Sequence, residues 1–273
     1  MSPDSIARFL DPAKLTFDLV VFDEASQIRV AESIGAMGRS RAVVVVGDSK
    51  QMPPTQFGGG GLEDDDDADA PGEDILQADE ESILSECVQA RVRRRWLSWH
   101  YRSQDETLIA FSNAQYYEGR LSSFPPPTRP SSQPAVSLVR VDGHFFRSGA
   151  GKQLRTNPIE AQALVNDVER RFRDDPTASI GIVTFNIQQR DLIHGLLSSS
   201  EVPGVAEAVE RDDDGSLFVK NLENVQGDER DVILFSTAFS VNERGVLPLN
   251  FGPLNLSGGE RRLNVAVTRA RRQ

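Results

Sequence analysis

The amino-acid sequence predicts an α/β fold with parallel sheets and flanking helices. Short apolar runs rich in branched side chains alternate with segments of helical periodicity, a pattern typical of β-α-β units. Two of these runs, Phe17–Phe22 and residues 42–46, are almost continuously apolar. Strands covered on both faces have this composition, so we expect both runs at the centre of a sheet.

Four further runs predict strands in the rest of the chain, at residues 135–141, 179–185, 217–219 and 231–238. Between the first two of them, Asn157, Pro158 and Glu160 have the pattern of a helix N-cap, a proline in the first turn and the acid of a capping box. The helix that follows carries apolar residues at a spacing that gives it one buried face.

Two irregular stretches interrupt these elements. Residues 58–81 are rich in glycine and then in acids, with almost nothing apolar to bury, which predicts a solvated loop. Residues 122–134 contain five prolines and predict an extended connector. A boundary near residue 97 divides the sequence into two predicted domains, residues 1–97 and 98–273.

The charge is unevenly distributed along the chain. The sequence has 30 Lys and Arg against 41 Asp and Glu, a net charge of −11, which taken alone argues against nucleic-acid binding. However, 12 of the acids lie in residues 57–90, where there is no Lys or Arg. Without that segment 30 basic side chains face 29 acidic ones, so the acidity belongs to one insertion.

Composition excludes several other classes of protein. The longest apolar runs are far shorter than the about 20 residues that a helix needs to span a bilayer. The single cysteine, Cys87, cannot form an internal disulfide, so we expect a reducing, cytoplasmic compartment. The three histidines have no Cys or His partner at ligand spacing, so a zinc site is not expected.

Candidate catalytic residues follow the first predicted strand. Asp23 and Glu24 come directly after Phe17–Phe22, at the position where a nucleoside triphosphatase carries its acids. Asp23 can hold Mg²⁺, usually through water, and Glu24 can polarise the water that attacks a phosphate. Alone this pair is a weak signal, because any buried strand can run into an acidic loop.

The second predicted strand ends in another group of candidate residues. Gly47 permits a turn, Asp48 follows it, and Gln51 places an amide beside the expected phosphate site. Because an amide can donate or accept a hydrogen bond, Gln51 is suited to sense a γ-phosphate.

Together, residues 23–27 and 47–54 resemble motifs II and III of the superfamily 1 helicases. The remaining motifs of that family follow in order. Residues 99–103 resemble motif IV, residues 184–190 the segment that touches the nucleic-acid backbone, residues 223–229 motif V and residues 261–271 motif VI. The resemblance covers nearly the whole chain and is closest to the branch that includes the nonsense-mediated-decay RNA helicases.

This resemblance implies a partial RecA-like domain 1A followed by a domain 2A, which use ATP and Mg²⁺ to move along DNA or RNA. Asp23 is implied as the magnesium ligand, and the implied catalytic residues are Asp23, Glu24, Gln51, Arg102 and Arg269. Arginines that reach the γ-phosphate from a second domain accelerate phosphoryl transfer by roughly 10³–10⁵-fold. The residues implied to bind nucleotide are Gly47, Asp48, Gln226, Gly227 and Glu229, and those implied to contact nucleic acid are Thr184, Phe185 and Asn224.

One element of the family is missing from the sequence. No phosphate loop of the form G-x-x-x-x-G-K-[S/T] occurs in the 273 residues. We therefore expect the chain to be the C-terminal part of a helicase motor whose upstream domain carries that loop. The isolated chain is expected to hydrolyse little ATP, because positioning supplies most of phosphoryl-transfer catalysis. Single-stranded or duplex nucleic acid is the other expected partner, with DNA slightly favoured over RNA.

Two alternatives stay open at the level of sequence. The missing phosphate loop is compatible with a non-catalytic helicase-like module that binds nucleic acid or a protein. The acidic residues 58–81 are compatible with a scaffold for a basic partner. Within a helicase, the same residues could instead form a polyanionic flap that competes with nucleic acid.

Overall fold

The computed structural model describes residues 1–54, 82–125, 134–147, 154–211, 217–241, 245–247, 249–256 and 258–273. Within these ranges the chain divides into two compact units, Met1–Trp96 and Leu97–Gln273. The predicted acidic loop and most of the proline-rich connector lie outside the described residues. Both units combine helices with parallel strands, which confirms the predicted α/β fold class.

The smaller unit is built around a pair of parallel strands. In chain order its elements are α1 (Pro3–Phe9), β1 (Phe17–Phe22), a short 3-10 helix (Ala25–Gln27), α2 (Val30–Met37), β2 (Ser40–Val45) and α3 (Ile83–Gln89). Phe17 lies opposite Ser40 and Phe22 opposite Val45, so both strands end at the same edge. The two strands predicted for this part of the chain are therefore confirmed, the second with shifted bounds.

The β1–β2 pair is buried on one face. Side chains from the strands, from α2 and from α3 meet on that face in a core of Phe22, Ala25, Ala36 and Ile83. On the opposite face Leu19, Val21 and Val44 are 50%, 55% and 44% exposed. The prediction of cover on both faces is wrong for the described residues, because α2 and α3 both contribute to the same core.

The larger unit contains a three-stranded parallel sheet in the order β6–β5–β7. Its elements are β3 (Trp99–His100), α4 (Thr107–Tyr116), β4 (Ser122–Ser123), α5 (Pro158–Asp174), β5 (Ile180–Thr184), α6 (Ile187–Ser198), α7 (Val205–Glu210), β6 (Phe218–Asn221), β7 (Val232–Ser236), a second 3-10 helix (Gly252–Asn255) and α8 (Gly259–Val267). Thr184 pairs with Asn221 on one side and Ser236 on the other, so the three carboxyl ends lie together.

Three of the four strands predicted for this unit are confirmed, as β5, β6 and β7. The strand predicted at residues 135–141 is wrong, since no described residue there belongs to a strand. Val136, Leu138 and Val139 are 59%, 96% and 78% exposed. An apolar extended segment becomes a strand only where a neighbouring strand pairs with its backbone, and no described strand does so here.

Helix α5 begins at the predicted cap. The side chain of Asn157 accepts the backbone N–H of Glu160 at 3.2 Å, and Pro158 occupies the first turn. The predicted capping box is wrong in its second half, because the backbone N–H of Asn157 donates to Gln189 Oε1 at 2.8 Å and not to Glu160. Neither α5, with 17 residues, nor any other described helix has the length and apolar content of a membrane span.

The core of the larger unit surrounds β5, whose five residues are all buried. Side chains from α5, α6 and α7 pack against the sheet in one continuous cluster. Its fully buried members include Ala161, Val168, Ile180, Ile182, Ile193, Leu197 and Val205. Burial of this cluster positions the carboxyl end of β5, where several of the candidate functional residues lie.

Gly181 allows the side chain of Phe218 to cross the central strand. A Cβ at position 181 would overlap the Phe218 ring and lie 2.8 Å from Ile233 Cδ1. We expect Gly181→Ala to lower the free energy of unfolding by about 1–3 kcal/mol, the usual cost of overpacking a core. Urea denaturation of the purified protein measures this change.

Gly195→Ala is the matched control for this prediction. Gly195 lies within α6, and a Cβ there meets no atom within 4 Å. Alanine is favoured over glycine in a helix by up to about 1 kcal/mol, so this variant should be at least as stable as the parent. Equal losses of stability in both variants would contradict the packing argument.

Candidate functional site

The carboxyl ends of β1 and β2 meet at one edge of the smaller unit. The backbone N–H of Val46 donates to the Phe22 carbonyl at 2.8 Å, and the N–H of Ala25 donates to the Val46 carbonyl at 2.9 Å. A Cβ on Gly47 would lie only 3.0 Å from the backbone nitrogen of Ser26. The segments that resemble motifs II and III are therefore in direct backbone contact, and glycine permits this close approach.

Glu24 has a strained backbone at this edge. Its φ of 50° and ψ of 38° are left-handed, a conformation that costs a non-glycine residue about 1 kcal/mol or more. Asp23 Oδ1 accepts the N–H of Glu24 at 2.9 Å and stabilises the turn. The Glu24 carboxylate is exposed and has no hydrogen bond or ion pair with the described residues. Backbone strain of this kind is concentrated at functional sites.

Two polar atoms in these segments are buried without a hydrogen-bond partner among the described residues, Ser26 Oγ and Gln51 Oε1. The other end of the Gln51 amide is occupied, since Nε2 donates to Asp48 Oδ2 at 3.1 Å. Asp48 Oδ1 accepts the backbone N–H of Lys50 at 2.8 Å. Because buried polar atoms are normally paired, Ser26 and Gln51 suit contact with a ligand or an ordered water.

Asp23 fits the way in which proteins hold Mg²⁺. The described residues contain no cluster of three or more His, Cys, Asp or Glu side chains that would enclose a metal ion. However, Mg²⁺ is usually held by one or two carboxylates, with water and substrate phosphates completing its shell. Asp23 is exposed, and only one of its oxygens is used in the turn, so the second is available to a metal.

In the larger unit, three segments distant in sequence lie side by side. The hydroxyl of Ser103 donates to the Ala270 carbonyl at 3.1 Å, and the N–H of Gln104 donates to the Arg271 carbonyl at 2.7 Å. The N–H of Arg271 donates in turn to the Arg230 carbonyl at 2.9 Å. This backbone frame brings together the segments that resemble motifs IV, V and VI.

Glu229 joins two arginines within this frame. Its Oε2 accepts Arg102 Nε at 2.7 Å, and its Oε1 accepts Arg271 Nη2 at 2.6 Å and Nε at 3.1 Å. Burial raises the pKa of the Glu229 carboxyl, but hydrogen bonds and charges from Arg271 and Arg102 outweigh it and hold the pKa below its ordinary value of 4.5. The carboxylate therefore stabilises the fold above its unfolded pKa, and this contribution is lost as pH falls through the lowered value.

The surroundings of His100 favour the neutral form of its imidazole. Burial and the positive charge of Arg102 lower the pKa of its imidazole. A neutral ring nitrogen can accept a hydrogen bond, and His100 Nε2 accepts the backbone N–H of Ser103 at 3.2 Å. Ser103, the residue after Arg102, is thus held by hydrogen bonds with both His100 and Ala270.

The two predicted arginines have different surroundings. Arg102 is 34% exposed in its side chain, whereas Arg269 is 2% exposed and its Nε donates to the Val265 carbonyl at 2.9 Å. Sequence reasoning did not single out Arg271, although it lies in the same motif. The Arg-x-Arg spacing of Arg269 and Arg271 was the signal available for finding it.

The segment that resembles motif V is a tight turn after β6. Gly227 has a φ of 92°, which favours glycine, and the N–H of Asp228 donates to the Val225 carbonyl at 3.3 Å. Gln226 Nε2 is buried without a hydrogen-bond partner among the described residues, whereas Asn224 is exposed. The turn therefore holds both an exposed amide and an unpaired buried one.

Thr184 and Phe185 lie at the end of β5. Thr184 is completely buried, and its hydroxyl donates to the Asn186 carbonyl at 2.8 Å, so in this structure the side chain serves the turn. Phe185 is half-buried. Asn186 caps α6 by accepting the N–H of Gln189 at 2.7 Å, and its Nδ2 has no partner among the described residues.

Sequence reasoning missed a buried polar network behind this edge. Gln189 is completely buried, and its Nε2 donates to Ser236 Oγ at 3.0 Å. Glu160 Oε1 accepts the Ser236 hydroxyl at 2.8 Å and the Ala238 N–H at 3.0 Å, which is why it does not close the capping box. No local pattern identifies a buried glutamine, because its partners come from α5 and β7.

Parallel strands with acidic, amide and arginine side chains beyond their carboxyl ends define an α/β, RecA-like region of the helicase class. The chain belongs to the AAA domain family, which matches residues 80–273. The predicted resemblance to superfamily 1 helicases is thereby confirmed at the level of the family.

Curated relatives cover almost all of the chain. An uncharacterized ATP-dependent helicase of Mycoplasma genitalium is 35% identical over 100% of this chain and 24% of its own length. Helicase sen1 of Schizosaccharomyces pombe is 24% identical over 95% of this chain and 14% of its length. The DNA replication ATP-dependent helicase/nuclease DNA2 of Mus musculus is 27% identical over 95% and 24%. The chain thus spans a quarter or less of the length of these relatives.

We expect Gln189→Leu to lower the free energy of unfolding by about 1–3 kcal/mol, because the buried N–H of Asn157 loses its acceptor. Thermal and urea unfolding measure this change. Gln162→Leu is the control, since Gln162 is exposed on α5 and its side chain bonds only Asn166 among the described residues. That variant should stay within about 0.5 kcal/mol of the parent. If Gln189→Leu is as stable as the control, the network does not stabilise the sheet edge.

Proposed function

We propose that this chain is part of an ATP-dependent nucleic-acid helicase or translocase. In this proposal the smaller unit is part of domain 1A and the larger unit is domain 2A. The carrying observation is the joined edge of β1 and β2, where Asp23 and Glu24 lie against the Gly47 segment, in a chain whose relatives are named ATP-dependent helicases. An upstream domain with a phosphate loop is proposed to complete the nucleotide site.

Each candidate residue of the smaller unit is proposed to have a role in hydrolysis. Asp23 would hold Mg²⁺, which when bound neutralises charge on the phosphates. Glu24 would take a proton from the attacking water, a role suited to a carboxylate with no partner among the described residues. Gln51 Oε1 has no hydrogen-bond partner among the described residues and can accept a hydrogen bond from that water. Gly47 and Asp48 would shape the edge beside the phosphates.

Arginines of the larger unit are proposed to stabilise the charge that develops on the transferred phosphoryl group. Arg102 suits this role, since its guanidinium is partly exposed. Arg269 is proposed as a second such arginine, and its Nε has to leave the Val265 carbonyl before the side chain can extend. Gln226 and Gly227 are proposed to bind the nucleotide through the turn after β6.

Nucleic acid is proposed to lie along the end of β5 and the turn after β6. Asn224 is exposed and can contact a nucleic-acid strand directly. Thr184 is buried, so a contact between Thr184 and nucleic acid would require the turn after β5 to open. Phe185 offers a partly exposed ring on which a base can stack. DNA is favoured over RNA as the bound nucleic acid, because one relative is named a DNA replication helicase/nuclease.

The test uses the longer protein that contains this chain together with its phosphate-loop domain. ATP hydrolysis is measured with and without single-stranded DNA or RNA. We expect Glu24→Gln to reduce kcat by about 10²–10⁴-fold, the usual contribution of a general base, while nucleotide still binds.

Glu32→Gln is the control for this test. Glu32 is exposed on α2 in the same unit, so its kcat should stay within about twofold of the parent, as for a neutral surface substitution. Hydrolysis that nucleic acid does not stimulate, or that survives Glu24→Gln, would overturn the proposal.

A second candidate function is a non-catalytic module that binds nucleic acid or a protein. The absence of a phosphate loop from the 273 residues favours it. ATP hydrolysis by the purified chain that disappears in Glu24→Gln would exclude this candidate. Nucleic-acid binding by the purified chain, together with no ATP hydrolysis by the longer protein, would support this candidate.

A further inference from the structure

The carboxylate of Glu229 is already occupied by arginines. One oxygen accepts Arg102 Nε, and the other accepts two N–H groups of Arg271. Such charge-assisted hydrogen bonds are about twice as strong as neutral ones. These three N–H groups use three of the about four acceptor positions of the carboxylate, so at most one is left for a nucleotide.

The two arginines are held in different ways. Arg271 presents Nε and Nη2 to Glu229, and its Nη1 lies 3.9 Å from Asp231. Arg102 uses Nε alone, so its terminal Nη1 and Nη2 groups have no hydrogen bond with the described residues. Two parallel N–H groups at the end of a guanidinium match a pair of phosphate oxygens. Glu229 thus bonds Arg102 at Nε, and the two terminal amino groups keep no partner among the described residues and can bind phosphate.

The backbone around this pair is held by hydrogen bonds that do not involve the side chains of Arg102 and Glu229. Hydrogen bonds from Ser103 and Gln104 attach the Arg102 segment to residues 270–271, which pair in turn with Arg230. With the backbone held, the direction of the Arg102 guanidinium depends on its side-chain rotamers. Glu229 restrains these rotamers, because among the described residues it is the only hydrogen-bond partner of the Arg102 guanidinium.

We infer that Glu229 is a positioning residue that holds Arg102 by Nε, with Arg271 as a brace, so that the terminal amino groups of Arg102 face a phosphate. The inference rests on the proposed function, in which Arg102 acts on the nucleotide. It assigns Glu229 to the arginine and not to the nucleotide. Two guanidinium groups share the single carboxylate of Glu229, and Asp231 pairs with Arg271 and Arg272. Among the described residues Arg102 therefore has no second carboxylate partner and keeps positive charge for an anion.

The first experiment measures hydrogen exchange of arginine Nε–H groups by NMR in the 273-residue protein, without any nucleotide. The Nε–H of Arg102 should exchange at least tenfold faster in Glu229→Ala than in the parent. The Nε–H of Arg271 also loses its acceptor, so its exchange should rise as well. Glu229→Gln is the second variant, in case the alanine variant unfolds, and should speed exchange at Arg102 or Arg271.

Asp228→Asn is the matched control for the exchange experiment. Asp228 is the neighbouring residue and loses one ion pair of similar length, 2.7 Å to Lys220 Nζ. Exchange at Arg102 should be unchanged in this variant. If Arg102 exchanges equally fast in the parent and in both Glu229 variants, Glu229 does not hold it and the inference is wrong.

The second experiment measures ATP hydrolysis in the longer protein. Glu229→Ala and Arg102→Ala should each lower kcat at least tenfold with KM for ATP within about threefold, and the double variant should be no slower than Arg102→Ala alone, as for residues that act as a unit. A rise in KM at constant kcat, or losses that multiply in the double variant, would show that Glu229 binds the nucleotide itself. If the parent hydrolyses no ATP, the proposed function fails, and the exchange experiment still decides whether Glu229 holds Arg102.

Discussion

Parallel pairing of β5 with β6 and β7 is the constraint on which the larger unit depends. It places Thr184, Asn221 and Ser236 on one edge, so that the turns after these three strands lie on the same side. Gln189 and Glu160 then join the helices to that edge through buried hydrogen bonds, which satisfy polar groups that the core would otherwise leave unpaired. The smaller unit repeats this arrangement with two strands, and its acids and its glycine turn meet for the same reason.

Charged side chains at these edges are of two kinds, those held in ion pairs and those with no partner among the described residues. Glu229 offsets the repulsion between Arg102 and Arg271, which are brought together from positions far apart in the chain. In the smaller unit the opposite holds, because Glu24 has a strained backbone and a carboxylate with no partner among the described residues. In the proposed function both conditions have a use, since Arg102 would be held before a phosphate arrives and Glu24 would remain available as a base.

Local signals predicted much of the fold. The strand Phe17–Phe22 and the cap at Asn157 depend on residues adjacent in sequence, and both are confirmed. The strand at residues 135–141 was predicted wrongly because pairing depends on a neighbour that no local pattern specifies. The candidate site came from motif order, which placed Arg102 and Glu229 in separate motifs but gave no reason for them to touch.

The sequence by itself determined the α/β class, the helicase-like family and the identities of the acids, amides and arginines at the strand ends. Tertiary structure alone decided which of these side chains are paired, buried or strained. It buried Arg269, placed Arg271 on Glu229 and left Gln51 Oε1 without a partner among the described residues. The reason is physical, because a motif records the residue type that a site needs, whereas hydrogen-bond partners and exposure depend on backbone segments that meet only in the folded chain.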